Sequence, residues 1–112
     1  MTLDSYQQDD IHVVTLQGEI DGKTAPEAQQ QITPLMADSQ ALLLDMRGVD
    51  YMSSAGLRMM LLLYRQMASK DGKVALVGLS EEVEETMSAT GFLEFFVTAA
   101  DVDAGLAALR AS

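Results

Sequence analysis

Leu42-Leu43-Leu44-Asp45-Met46-Arg47-Gly48-Val49-Asp50-Tyr51-Met52-Ser53-Ser54-Ala55-Gly56-Leu57-Arg58 is the stretch that decides how this chain folds. Ala41 to Asp45 is a continuous apolar run bounded by turn residues, which predicts a strand covered on both faces. A short polar connection follows. Ser53-Ser54-Ala55-Gly56 then opens an apolar helix, predicted over about 54–68, with Leu57, Met60, Leu61, Tyr64 and Met67 at helical spacing. The layout places small hydroxyl side chains at a helix N-terminus, where backbone N–H groups lack helical partners and the dipole is positive. A phosphate is at home in such a place. Either serine can instead cap the helix by accepting a hydrogen bond from an N–H two or three residues on. Gly56 is a poor residue for a first turn, and its missing side chain leaves room for a partner's backbone.

Outward from this centre, strands and helices alternate. A β-branched strand is expected at about 11–17, preceded by a shorter one from Leu3 to Gln7 that turns through Gln8-Asp9-Asp10. Thr24-Ala25-Pro26-Glu27 reads as a capping box with proline in the first turn, opening a helix to about Ala37 that Pro34 should kink or shorten. Beyond the central helix, Lys73 to Val77 reads as another covered strand, and Ser80-Glu81-Glu82-Val83 opens a helix closed by Gly91. A short strand is expected at Phe95 to Val97, and Thr98-Ala99-Ala100-Asp101 reads as the box of a last helix presenting Val102, Leu106 and Leu109. The order β-β-α-β-α-β-α-β-α implies an α/β fold with mostly parallel pairing and right-handed crossovers.

Residues 1–112 have the length of one domain, with 48% hydrophobic and 21% charged residues. The net charge of −10 disfavours nucleic acid and anionic membrane surfaces and suits a protein partner with a basic or mixed surface. No cysteine is present, so disulfides and thiolate metal sites are excluded, which suits a reducing cytosol. The N-terminus lacks the pattern of a signal peptide, and no run is long enough for a membrane span. Catalysis has few materials here. A nucleophilic serine needs a base, yet the sole histidine is His12, read as a surface or edge-strand residue. No G-x-S-x-G elbow or phosphate-binding loop occurs. Glu81, Glu82, Glu84 and Glu85 read as a solvated helix start rather than a metal site. No metal, cofactor or catalytic residue is therefore expected.

At Leu16-Gln17-Gly18-Glu19-Ile20-Asp21, at Asp45 followed by Val49-Asp50-Tyr51-Met52, and at Ser53-Ser54-Ala55-Gly56-Leu57-Arg58, the chain resembles the STAS family, and within it a free-standing anti-sigma factor antagonist. Gly78-Leu79-Ser80 and Gly91-Phe92 fall where the family has its next loop and the end of its next helix. The resemblance implies a mostly parallel mixed sheet of about five strands with about four helices and an N-terminal hairpin. It also implies a binding module without catalytic activity, acting as a cytoplasmic monomer. Its partner would be an ATP-binding serine kinase that is also an anti-sigma factor, held when the module is unphosphorylated and released on phosphorylation. A PP2C-type phosphatase would reset the switch. The family's phosphorylated serine falls on Ser54, with Ser53 where the family often has Asp and Ala55 at its second hydroxyl position. Ser53, Ala55, Gly56 and Arg58, with Asp21, Gly22, Lys23 and Thr24 from the loop before the first helix, make the expected partner surface. Two other functions fit less of the sequence: a STAS scaffold in a stressosome or lipid-transport assembly without serine phosphoregulation, and a small nucleotide-binding or hydrolytic protein.

Overall fold

The computed structural model describes residues 1–111. Strand β1 (Thr2–Gln8) turns through Asp9 and Asp10 into β2 (Ile11–Gln17), and the two pair antiparallel along their whole length. Helix α1 (Thr24–Met36), strand β3 (Ala41–Gly48), helix α2 (Ser54–Ala68), strand β4 (Lys73–Val77) and helix α3 (Glu81–Ala89) then alternate. The chain closes with β5 (Val97–Ala99) and α4 (Val102–Ala111). The sheet order is β1-β2-β3-β4-β5, with every pairing after the first parallel. Val13, Leu43, Ala75 and Val97 share one row across it.

This order explains where the helices lie. Each crossover steps one strand in the same direction, so right-handed crossovers put α1, α2 and α3 on one face. The core on that face joins Val14, Leu16, Leu42, Leu44, Met46, Val74 and Leu76 to Ile32, Met60, Leu63, Val83 and Met87. The alternate residues Val13, Leu43, Ala75 and Val77 point the other way, where α4 covers them with Leu106 and Leu109. Residues Ala41 to Met46 of β3 are buried, as the unbroken apolar run requires of a strand sandwiched between helices.

Several local expectations are corrected. His12 is not on an edge: β2 lies between β1 and β3, and the imidazole Nδ1 sits 3.4 Å from Ser39 Oγ. Pro34 lies within α1, which ends at Met36 with Ala37 as its cap, close to the expected end. Phe92–Phe95 is a turn of 3₁₀ helix rather than the start of a strand, and Gly91 enters it with φ of 79°. There Phe95 stacks on Tyr64 at 5.2 Å, a tertiary ring contact that no local pattern encodes. Thr98 does not start the last helix, because it pairs with Leu76 inside β5. Asp101 caps α4 instead, its carboxylate accepting from the Ala104 N–H at 2.8 Å.

On α2 the buried residues are Gly56, Met59, Met60, Leu63 and Met67, while Leu57, Leu61 and Tyr64 are half-buried. The buried stripe is rotated from the expected one. Leu57 to Tyr64 is apolar on almost every side, so periodicity alone leaves the helix's rotation open.

Candidate functional site

The loops after β2, β3 and β4 gather at the carboxyl edge of the parallel strands, the usual place for sites in such sheets. The first two are tied together by backbone. Ile20 and Met52 form an isolated parallel bridge, with the Ile20 N–H donating to the Tyr51 carbonyl at 3.0 Å and the Ser53 N–H to the Ile20 carbonyl at 2.8 Å. This brings the loop carrying Asp21, Gly22, Lys23 and Thr24 against the start of α2.

The same bridge decides which serine caps. Ser53 is held extended, with φ of −82° and ψ of 179°, so its Oγ turns back to accept from the Ala55 N–H at 3.2 Å. Its carbonyl accepts from Leu57 N–H at 3.0 Å, the first bond of the helix. Ser54 is the first helical residue and is exposed. Ser53→Ala is therefore expected to cost about 1 kcal/mol. Ser54→Ala should stay within about 0.5 kcal/mol of wild type. Urea unfolding separates the two, and equal losses would show that both serines support the helix.

Asp21, not Thr24, closes the start of α1. The Asp21 carboxylate accepts from the Lys23 N–H at 2.9 Å and the Thr24 N–H at 3.0 Å. The Thr24 hydroxyl faces back into the loop, donating to the Glu19 carbonyl at 2.7 Å and accepting from the Asp21 N–H at 2.9 Å. The expected capping box is replaced by an aspartate turn three residues earlier. Hydrogen bonds from the Thr24 and Lys23 backbone hold the Asp21 carboxyl below its ordinary pKa, so it stays charged beside α2. Thr24 is occupied by its own loop, whereas Gly22 and Lys23 are exposed.

Gly56 corrects a further expectation. It is buried, and its bare α-carbon makes room within the protein rather than for a partner. A β-carbon there would lie 2.9 Å from Ile20 Cγ2 and 3.2 Å from the Ile20 carbonyl oxygen, and would also strike Met52 Cγ. Ala55 is half-buried, and Arg58, one turn along α2, is exposed and in no ion pair among the described residues.

An ion pair on β3 adjoins this edge, outside the expected partner surface. Asp45 is only 3% exposed, paired in β3 between Thr15 of β2 and Val77 of β4. Its carboxylate accepts from Arg47 Nε at 3.0 Å and Nη2 at 2.8 Å, and from the Arg47 backbone N–H at 3.2 Å. The i, i+2 spacing on a strand puts both residues on one face, which is the signal that could have found the pair. The Arg47 hydrogen bonds hold Asp45 below the ordinary carboxylate value of 3.8. A depressed folded-state pKa gives stability that is complete above the unfolded value and is lost as pH falls through the folded one. Asp45→Asn should thus lower stability near neutrality by about 1–3 kcal/mol. It should also flatten the loss of stability below about pH 4, with Asp21 leaving a residual slope. Urea midpoints measured from neutral to acid pH check this, and a variant as acid-sensitive as wild type would refute it.

Among the described residues there is no cluster of His, Cys, Asp and Glu able to hold a metal, and no helix long and apolar enough to cross a membrane. What the edge offers is an exposed serine hydroxyl at a helix start, flanked by a charged loop.

A five-stranded sheet with this pairing and three crossover helices on one face is the architecture of a STAS domain. The chain belongs to the STAS domain family, whose pattern matches residues 2–105. It is 30% identical over 111 residues to a Bordetella bronchiseptica protein provisionally assigned as the anti-sigma factor antagonist BtrV, covering 98% of this chain and 94% of that one. It also resembles the crystal structure of an anti-sigma factor antagonist from Mycobacterium paratuberculosis, with a TM-score of 0.87, 29% identity, and 97% and 93% of the two chains covered. The fold is shared with SpoIIAA in its unphosphorylated form, with a TM-score of 0.83, 16% identity, and 99% and 98% coverage. It is shared too with the Bacillus cell fate determinant SpoIIAA in the phosphorylated form, with a TM-score of 0.73, 16% identity, and 99% and 100% coverage.

Proposed function

We propose that this chain is an anti-sigma factor antagonist working by partner switching, as a single cytoplasmic domain without catalytic activity. Unphosphorylated, it binds a protein that is both an ATP-binding serine kinase and an anti-sigma factor. The kinase moves the γ-phosphoryl group of ATP to Ser54 Oγ, releasing ADP, and the complex separates. A PP2C-type phosphatase hydrolyses the phosphoserine back to serine and inorganic phosphate. The exposed Ser54 hydroxyl at the first position of α2, with the capping role held by Ser53, is the observation that carries this reading.

Physical chemistry supports it. Phosphoserine adds roughly −1.5 to −2 charges. At a helix N-terminus that charge meets the positive end of the dipole, so the fold tolerates it. Arg58, four residues on and on the same helix face, is placed to meet either a partner or the phosphate. The exposed Gly22 and Lys23, the charged Asp21 and half-buried Ser53 and Ala55 complete the contact surface beside it. The names of the relatives point the same way.

The test is direct. The protein is incubated with ATP and its cognate kinase, and phosphate is located by intact mass and peptide mapping. One phosphoryl group on Ser54 of wild type and none on Ser54→Ala is the expected result. An unmodified wild type, or undiminished labelling of Ser54→Ala, would refute it.

A further inference from the structure

Three of the chain's seven Lys and Arg residues, Lys23, Arg58 and Arg65, lie on the α1–α2 side of the molecule, on the loop before α1 and on α2. Two of them border a groove of about 670 Å³ between α1 and α2. Pro26 and Gln29 of α1 form one wall, and Arg58, Leu61, Leu62 and Arg65 of α2 form the other. Positions 58, 61, 62 and 65 are spaced i, i+3, i+4 and i+7, so they form one stripe along two turns of helix. Leu62 is among the few large apolar side chains left exposed, at 37%. No carboxylate lines the groove, although the chain holds 17 acidic residues. Neither arginine takes part in an ion pair among the described residues. Arg58 also sits close to the positive end of the α2 dipole, where a cation gains nothing for the helix.

We propose that this groove docks an amphipathic helix of the protein partner that carries acidic residues two turns apart on either side of an apolar one. Its apolar residue would cover Leu61 and Leu62, and its two acids would meet Arg58 and Arg65. A helix laid in a groove is recognised through anchors at this spacing. The charge of the groove, opposite to that of the chain as a whole, selects an acidic occupant and repels a basic one. The acidic helix of a second copy does not fit the role. That helix, α3, already buries Val83 and Met87 in its own chain's core and has no apolar stripe to offer. The groove also continues to Gly22 and Ala55 beside Ser54, so its occupant reaches the switch. The inference deepens the partner-binding reading above and rests on it only for the existence of a protein partner.

The test uses the unphosphorylated full chain and two synthetic peptides of about 20 residues, beyond the ~12–15 residues at which an isolated helix is marginal. One has glutamates two turns apart with leucines between, and the other has lysines in their place. Amide shifts in ¹⁵N-labelled protein should move at Arg58, Leu61, Leu62, Arg65 and Gln29 with the glutamate peptide only, and less at high salt. Arg65→Glu should weaken that binding about ten-fold. Leu62→Ser should weaken it too and leave the thermal midpoint in place, whereas Arg65→Glu, in the last turn of α2, should lower the midpoint by only a few degrees. Absent shifts, shifts elsewhere, equal response to the lysine peptide, or the same shifts on raising protein concentration alone would overturn the proposal. Ser54 takes no part in this titration. A groove that fails beside intact phosphorylation overturns this inference alone, and the reverse result overturns only the switch.

Discussion

Ser54→Asp should bind the kinase partner about 100-fold more weakly than wild type, because like charges and a desolvated carboxylate at a contact surface cost several kcal/mol. Ser54→Ala should bind like wild type and never be released. The prediction is sharp because stability should move the other way. An acid in the first turn favours the helix dipole by about 0.3–1 kcal/mol, and α2 has no acid there. The Asp variant is therefore expected to be at least as stable as wild type while failing to bind. Calorimetric titration with the partner and thermal unfolding of the free protein, run side by side, give both numbers. Unimpaired binding by Ser54→Asp would remove Ser54 from the contact surface. A variant that unfolds would mean that the hydroxyl supports the helix start after all.

Gly56→Val should destabilise the protein by about 3 kcal/mol, at the upper end of ordinary overpacking. The added β-carbon meets Ile20 Cγ2 at 2.9 Å and the Ile20 carbonyl at 3.2 Å, and that carbonyl is the one that holds the Ser53 N–H. Backbone cannot swing aside as a flexible side chain can, so relief requires the α2 start to part from the loop carrying Asp21. Gly56→Ala should cost less, since alanine regains about 1 kcal/mol of helix propensity. For a domain near this size the valine variant corresponds to a fall in Tm of roughly 10–20 °C. Calorimetry checks the order valine, alanine, glycine. If Gly56→Ala proves more stable than wild type, the packing of α2 on Ile20 is looser than described. Weakened partner binding by a folded Gly56→Ala would further show that the Ile20–Met52 bridge sets the shape of the contact surface.

Much of this was legible in the chain. The unbroken run at Ala41–Asp45 announces a sandwiched strand, because only burial on both faces removes the need for polar alternation. Ser53 and Ser54 before an apolar stretch announce a helix start, and α2 begins at Ser54. The strand-helix alternation, with connections between parallel strands and the hairpin at the N-terminus, leaves little freedom in topology.

Other features depend on atoms far apart in sequence. Two serines are equally good caps by type, and Asp21 and Thr24 are both capping types. The choice of Ser53 came from the Ile20 carbonyl more than thirty residues earlier, which fixes its backbone as extended. Asp21 prevailed over Thr24 because its carboxylate gathers both following N–H groups while the threonine hydroxyl is drawn to the Glu19 carbonyl. The rotation of α2 is likewise a packing outcome. A helix apolar on nearly every side presents to the sheet whichever stripe fits, and burying Met59 and Leu63 left Leu61 and Leu62 bordering the groove with Arg58 and Arg65. The sequence alone determined the order of elements and the helix start that bears the serines, because local hydrogen bonding and burial periodicity act over a few residues. The tertiary structure alone decided which serine is left free and what surrounds it, because that depends on contacts between segments whose neighbours only the fold supplies.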